Sequence, residues 1–144
     1  MIQFFFTDIK KIKLKQAPIK LWLKKIATKE NKSIKDLNYI FCSDEYLLSI
    51  NQQYLKHNTY TDIITFDNSN KEEENISGDI FISLERVKEN AEKFNVSFEK
   101  ELFRVLAHGL LHLIGYKDKT AKDSKIMRSK EDEALLSYPI PFQL

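Results

Sequence analysis

Residues 97–115 read SFEKELFRVLAHGLLHLIG, and this stretch decides how the chain is organised. Ser97 suits an N-cap, Phe98 to Ile114 can run as one helix, and Gly115 is placed to end it. On its N-terminal side, Leu84, Val87, Ala91 and Phe94 form a helical stripe, and Gly78-Asp79-Ile80-Phe81-Ile82-Ser83 predicts a strand. Residues 68–75 are a polar loop, and Asp62-Ile63-Ile64-Thr65-Phe66 predicts another strand. Further back, Ser43 can cap a helix running to about Tyr54, preceded by the strand formers Leu37 to Cys42. Pro18 fits the first turn of a helix whose apolar residues are Ile19, Trp22, Leu23, Ile26 and Ala27, and Ile2 to Phe6 is a short apolar strand. On the C-terminal side, Thr120 and Asp123 resemble a variant capping box for a helix from about Ala121 to Ser137. The tail Tyr138-Pro139-Ile140-Pro141-Phe142 reads as extended. The expected fold is α+β: a single mixed sheet of about four strands packed with about five helices, three of them toward the C-terminus.

A chain of 144 residues is one domain by size. At 42% hydrophobic and 31% charged it is a folding composition rather than a disordered one. Its three glycines form no GxGxxG and no GxxxxGK[ST], which excludes Rossmann-type dinucleotide binding and P-loop chemistry. The single cysteine, Cys42, permits no internal disulfide and no cysteine-based zinc cluster, and suggests a reducing compartment. No apolar run approaches the roughly 20 residues needed to cross a bilayer, and Met1 to Asp8 is too short and too broken for a signal-peptide core, so the expected location is the cytoplasm, with no membrane partner. The net charge of +2 hides an asymmetry: residues 10–35 carry ten lysines against one acid, Glu30, for a local charge of +9, and the rest of the chain carries −7. Lys20, Lys24 and Lys25 lie in that segment, which is either a surface for a polyanion or a solvated helix face.

The chemistry concentrates in residues 108–118, HGLLHLIGYKD. His108 and His112 are four apart on the predicted helix, so both imidazoles leave one face and can reach one ion at about 2.0–2.1 Å. Gly115 lets the chain double back, which places Asp118 as a third ligand. The spacing matches that of the metzincin motif HExxHxxGxxH, in which Glu is the general base. That position is Gly109 here, so a metalloprotease lacks its base. Glycine in mid-helix costs about 1 kcal/mol against alanine, so something must approach the backbone at Gly109. Two histidines and a carboxylate also suit non-haem iron, and a histidine pair at this spacing can be a satisfied, half-buried pair with no metal.

At these residues the sequence resembles the YbeY family of metal-dependent endoribonucleases, or rRNA maturation factors, whose signature is HGxLHLxGYDH. The family block LNxx[YF]R followed by TDVLSF corresponds to Ile50-Asn51-Gln52-Gln53-Tyr54-Leu55 and then Thr61-Asp62-Ile63-Ile64-Thr65-Phe66. Gly78-Asp79-Ile80 matches a third block, and Met127, Glu131 and Leu135 match a fourth. The blocks come in family order and cover about residues 37–136. The resemblance implies one YbeY-like domain over residues 1–144 and one divalent ion, zinc or else nickel, held by His108, His112 and Asp118 on the C-terminal-half helix and the turn after it. It implies cleavage of single-stranded RNA, with ribosomal RNA and the small ribosomal subunit as partners, in maturation of the small-subunit 3′ end and in ribosome quality control. The rival reading is a non-catalytic RNA-binding assembly factor whose metal pins two segments together. Oligomeric state is not legible.

Two positions depart from the family. Its third histidine falls on Asp118, which can still ligate through oxygen, and its catalytic arginine falls on Leu55, which cannot replace it. Lys56 and His57 come next and could bring a cation to the same cleft, or be exposed loop residues. Asp62 and Asp79 would sit at strand starts, as acceptors that fix a ligand imidazole or as plain caps. Glu101 and Arg104 are expected to form an i, i+3 ion pair.

Overall fold

The computed structural model describes residues 1–70, 72 and 74–138. Its elements follow the order β1 (Ile2–Phe6), α1 (Gln16–Lys29), β2 (Ser33–Cys42), α2 (Asp44–Leu55), β3 (Ile63–Asp67), β4 (Asn75–Ser83), α3 (Leu84–Phe94), α4 (Phe98–Ile114) and α5 (Ala121–Leu136). The four strands form one sheet in the order β1-β2-β4-β3. The β1–β2 and β2–β4 pairs are parallel and β3–β4 is antiparallel, so the sheet is mixed as expected. Of the expected extended tail, residues 139–142 lie outside the described residues.

The caps read from the sequence are made. Ser43 accepts from the Tyr46 amide, Ser97 from Lys100 and Thr120 from Asp123, and the amide of Gly115 closes α4 onto the His112 and Leu111 carbonyls. Strands β2 and β4 begin four and three residues before the predicted starts, at Ser33 and Asn75. These polar residues carry no strand pattern of their own. They are extended because they pair with each other, Ser33 opposite Asn75 and Ile34 opposite Ile76.

Alternation along the strands sorts the side chains onto two faces. Leu37, Tyr39 and Phe41 of β2 and Ile76, Ile80 and Ile82 of β4 share a core with α1, α3, α4 and α5. Trp22 anchors that layer, donating from Nε1 to the Ala134 carbonyl at 2.8 Å and meeting Phe103 edge-on. The opposite face carries Cys42, Ile64, Phe66 and Phe81 under Leu47 and Ile50 of α2. Burial, with the charges of Asp8, Asp44 and Glu85, pushes the Cys42 thiol up to about 12.

Helix α4 lies very close to the sheet. A Cβ on Gly109 would stand 2.9 Å from Ile80 Cδ1 and 3.0 Å from Ile63 Cδ1, and one on Gly78 would stand 2.7 Å from the Phe66 carbonyl oxygen and 2.8 Å from Leu113 Cδ1. The group that approaches Gly109 is therefore the sheet itself. Gly78→Ala meets a backbone oxygen that cannot rotate away, and it should destabilise the protein by about 1–3 kcal/mol through overpacking. Gly109→Ala meets isoleucine side chains rather than backbone, Ile80 Cγ2 at 3.0 Å among them, and gains helix propensity, so it should cost less. Urea unfolding midpoints of the two variants check both the size and the order.

Candidate metal centre

Arg104, His108 and His112 recur every four residues, so they form one stripe along α4. On either side of that stripe the helix is buried by Leu102, Phe103, Val105, Leu106, Leu110 and Leu111. The close approach at Gly109 turns the stripe sideways into a cleft of about 320 Å³, lined by Thr61, Asp62, Ile63 and Thr65 from the β3 side, by the stripe itself and by Asp118. Gly115, at φ 128°, ends the helix and turns the chain back so that Asp118 faces the histidines.

The two imidazoles stand nearly perpendicular, with ring centres 4.6 Å apart. Asp118 Oδ2 is 3.3 Å from His108 Nε2 and 3.2 Å from His112 Nε2. One ligand atom from each of the three residues lies within 4.8 Å of the other two, so the group could hold a metal ion. His108 Nδ1 is 2.5 Å from Glu131 Oε2, and His112 Nδ1 is 2.9 Å from the Tyr116 carbonyl. Each partner is an acceptor, so each Nδ1 donates, and in the neutral ring Nε2 is the lone-pair atom on the side of Asp118. In neutral rings so oriented, both Nε2 atoms and Asp118 Oδ2 converge at 3.2–3.3 Å, an arrangement that a cation between them completes. Ligand atoms of a tetrahedral site with bonds of about 2.0–2.1 Å are spaced about 3.3–3.4 Å apart. The donor set therefore fits a divalent ion.

Behind the ligands runs a chain of buried charge. Arg104 donates to Glu101 Oε1 at 2.9 Å from Nε, and its Nη2 closes the fork on Oε2. Nη1 donates to Glu131 Oε1 at 2.9 Å. Glu101 and Glu131 are each only 2% exposed. Burial would push the Glu131 carboxyl up, but the hydrogen bond from His108 and the charge of Arg104 outweigh it and leave it below its ordinary value. Burial would likewise depress Arg104, and its two carboxylates overcome this and hold its charge. The expected Glu101–Arg104 pair is present, but it is half of a network that reaches a candidate ligand.

The other nominated residues fall apart. Asp62 lines the cleft, with its carboxyl raised mainly by burial against the opposing charge of Arg104. It does not hold a ligand imidazole, because both Nδ1 protons already have partners. Asp79 is not at a strand start but in the middle of β4. Alternation puts it on the face opposite Gly78 and Ile80, where Asn38 and Asn68 bind its carboxylate at 3.0 and 3.3 Å. Lys56 ends α2 in a left-handed turn at φ 56°; neither it nor His57 lines the cleft, and Leu55 is 42% exposed. Arg104 is the cation lining the cleft among the described residues. Reasoning from the sequence overlooked Glu131 and the Tyr116 carbonyl as the groups that orient the imidazoles. The M-x-x-x-E block was the one local sign of the former; nothing local marked the latter.

Fold and site together define an α+β protein with a two-histidine, one-carboxylate group in an open cleft, able to hold a divalent ion. A family model described as endoribonuclease YbeY matches residues 5–139. A curated relative of that name from Cytophaga hutchinsonii is 58% identical over 133 residues, 92% of each chain, and one from Parabacteroides distasonis is 44% identical over 138 residues, 96% of each. A Thermotoga maritima protein whose solution structure is known aligns with a TM-score of 0.63 at 31% identity, covering 94% of this chain and 87% of its own. The chain belongs to the YbeY family of endoribonucleases.

Glu131→Gln keeps the size of the side chain but removes the charge that holds His108 and Arg104. Affinity for zinc should fall about tenfold or more, as for other groups that orient a metal ligand. Competition against a chromogenic chelator measures it.

Proposed function

We propose that this chain is a metal-dependent, single-strand-specific endoribonuclease that acts in ribosomal RNA maturation, at the 3′ end of the small-subunit RNA, and in ribosome quality control. The observation that carries the metal-dependent part is the set of three possible ligand atoms around one point, with an acceptor behind each imidazole at Nδ1. The likeness to proteins named endoribonuclease YbeY supports the RNA substrate. His108, His112 and Asp118 would hold one zinc ion, or nickel in its place. An ion there supplies Lewis acidity toward a phosphodiester oxygen and makes water acidic enough to attack near neutral pH. Glu131 and the Tyr116 carbonyl hold the two rings so that Nε2 stays available. Arg104 offsets part of the acidic charge that Asp62, Asp118, Glu101 and Glu131 place around the cleft, which a phosphate must enter. Residues 1–144 act as one domain, in the cytoplasm, on the small ribosomal subunit.

Lys20, Lys24 and Lys25 are proposed to bind RNA phosphates. All three sit on α1, with Lys24 and Lys25 exposed. The end of α1 adjoins the metal loop: the Tyr116 hydroxyl donates to Glu30 Oε2 at 2.9 Å, and Lys130 reaches Glu30 Oε1 at 3.0 Å. An RNA strand along α1 would thus lead toward the turn that carries Asp118. In contrast, Lys29 is paired with Glu133 and is less free to bind phosphate.

Protein purified without chelator should contain close to one zinc or nickel per chain by elemental analysis, with clear loss in His112→Ala and in Asp118→Ala. Unchanged metal in either variant would place the ligands elsewhere. Single-stranded RNA should be cleaved by the loaded protein and not in excess chelator; metal-loaded protein that binds RNA without cutting it would favour an assembly factor instead. Charge reversal at Lys20, Lys24 and Lys25 should weaken RNA binding whatever the sequence and flatten its salt dependence, because fewer counterions are released.

A further inference from the structure

The cleft contains one carboxylate that neither the ligand group nor the buried ion pairs use. We propose that Asp62 is the general base of the cleavage reaction, taking the proton from the water that attacks the phosphodiester. The inference rests on the endoribonuclease reading above and assigns a residue to its proton transfer.

A hydrolytic centre with this histidine spacing carries its base at the position after the first histidine in the HExxH motif. Here that position is Gly109, pressed against Ile80 and Ile63 of the sheet, so no side chain can act from there. The base has to come from another wall of the cleft. Glu101 and Glu131 are enclosed by Arg104, and Glu131 also accepts from His108. Asp118 faces the two Nε2 atoms. That leaves Asp62, which lies across the cleft from α4 and whose carboxylate is held by its own backbone amide and by no described side chain.

Its backbone is held firmly. The Asp62 carbonyl accepts from the Ser83 amide at 2.9 Å, and the next residue, Ile63, opens the β3–β4 ladder opposite Ile82. The charged and titratable groups around it are Arg104, His108, His112 and Glu101 from α4 and Asp118 from the turn that follows. Burial raises its proton affinity, the direction that makes a carboxylate a better base, while the charge of Arg104 keeps it ionisable.

In the proposed step one water proton passes to Asp62 as the water oxygen bonds to phosphorus. The bond from phosphorus to one ribose oxygen breaks, and that oxygen takes the proton back from Asp62. Water and a phosphodiester become a phosphomonoester and a hydroxyl, and Asp62 ends as the carboxylate it began.

The test is Asp62→Asn, which keeps the size and shape of the side chain but cannot accept the proton. Three quantities are compared with wild type: zinc per chain, affinity for a single-stranded RNA measured in chelator, and the single-turnover cleavage rate of the zinc-loaded protein. The rate should fall by about 100-fold or more, within the range that general bases contribute, while zinc content and RNA affinity stay within about twofold. A rate within tenfold of wild type overturns the proposal. So does a loss of zinc matching the loss of rate, which would make Asp62 a support for the ion site. Wild-type protein that loads zinc, binds the RNA and cuts nothing would overturn the endoribonuclease reading together with this inference, whereas equal cutting by both proteins overturns this inference alone.

Discussion

The close approach of α4 to the sheet is the constraint on which the rest depends. Gly78 and Gly109 remove the two Cβ atoms that would hold the layers apart, and Ile80, Ile63 and Leu113 fill the space directly. Since successive residues on a helix are about 100° apart, fixing Gly109 against the sheet also fixes where Arg104, His108 and His112 point. They cannot face the sheet and are not on the outer surface; they open sideways into the cleft beside β3. One packing contact therefore sets both the core and the orientation of the chemistry. It also accounts for the missing glutamate of the metzincin motif, because a long side chain after His108 would meet the sheet.

The centre is organised from behind by groups that can only accept a proton. A carboxylate and a backbone carbonyl each take one Nδ1 hydrogen, so in the neutral rings Nε2 is the atom left to ligate. Glu131 can be buried because Arg104 neutralises it, and Arg104 can be buried because Glu101 shares its charge. The Tyr116 carbonyl is placed by the helix ending, with the Tyr116 amide on the Leu111 carbonyl at 3.0 Å, and by the hydroxyl of the same residue on Glu30. Helix α1 and helix α5 thus each support one imidazole of α4, although neither contributes a candidate ligand.

Most of the element pattern was legible in the sequence, because it follows from local rules. Serine and threonine caps, the glycine stop of α4, the apolar periodicities and the i, i+4 histidines act over one or two turns, and the structure reproduces each of them. The same local reasoning placed Asp79 at a strand start beside the site, and failed. Ser33 and Asn75 extend β2 and β4 only by pairing with each other, which leaves Asp79 in mid-strand, and alternation with the buried Ile80 puts it on the face away from the site. Lys56 and His57 were reasonable stand-ins for an arginine by adjacency alone, but proximity in sequence to Leu55 says nothing about which way the end of α2 turns.

By itself, then, the sequence determined an α+β chain with two histidines on one helix face, a carboxylate after a glycine turn and a lysine-rich N-terminal helix. Each of these is a matter of spacing along a few consecutive residues. Tertiary structure alone decided that Glu131, 23 residues beyond His108, holds its ring, that Arg104 rather than a residue near Leu55 brings positive charge to the cleft, and that Asp62 faces the ligands while Asp79 does not. These outcomes depend on the separation of α4 from the sheet and on the register of β2 with β4. Both are settled only when distant segments pack, since the steric fit of glycine against isoleucine and the pairing of polar strand ends leave no periodic mark in the chain.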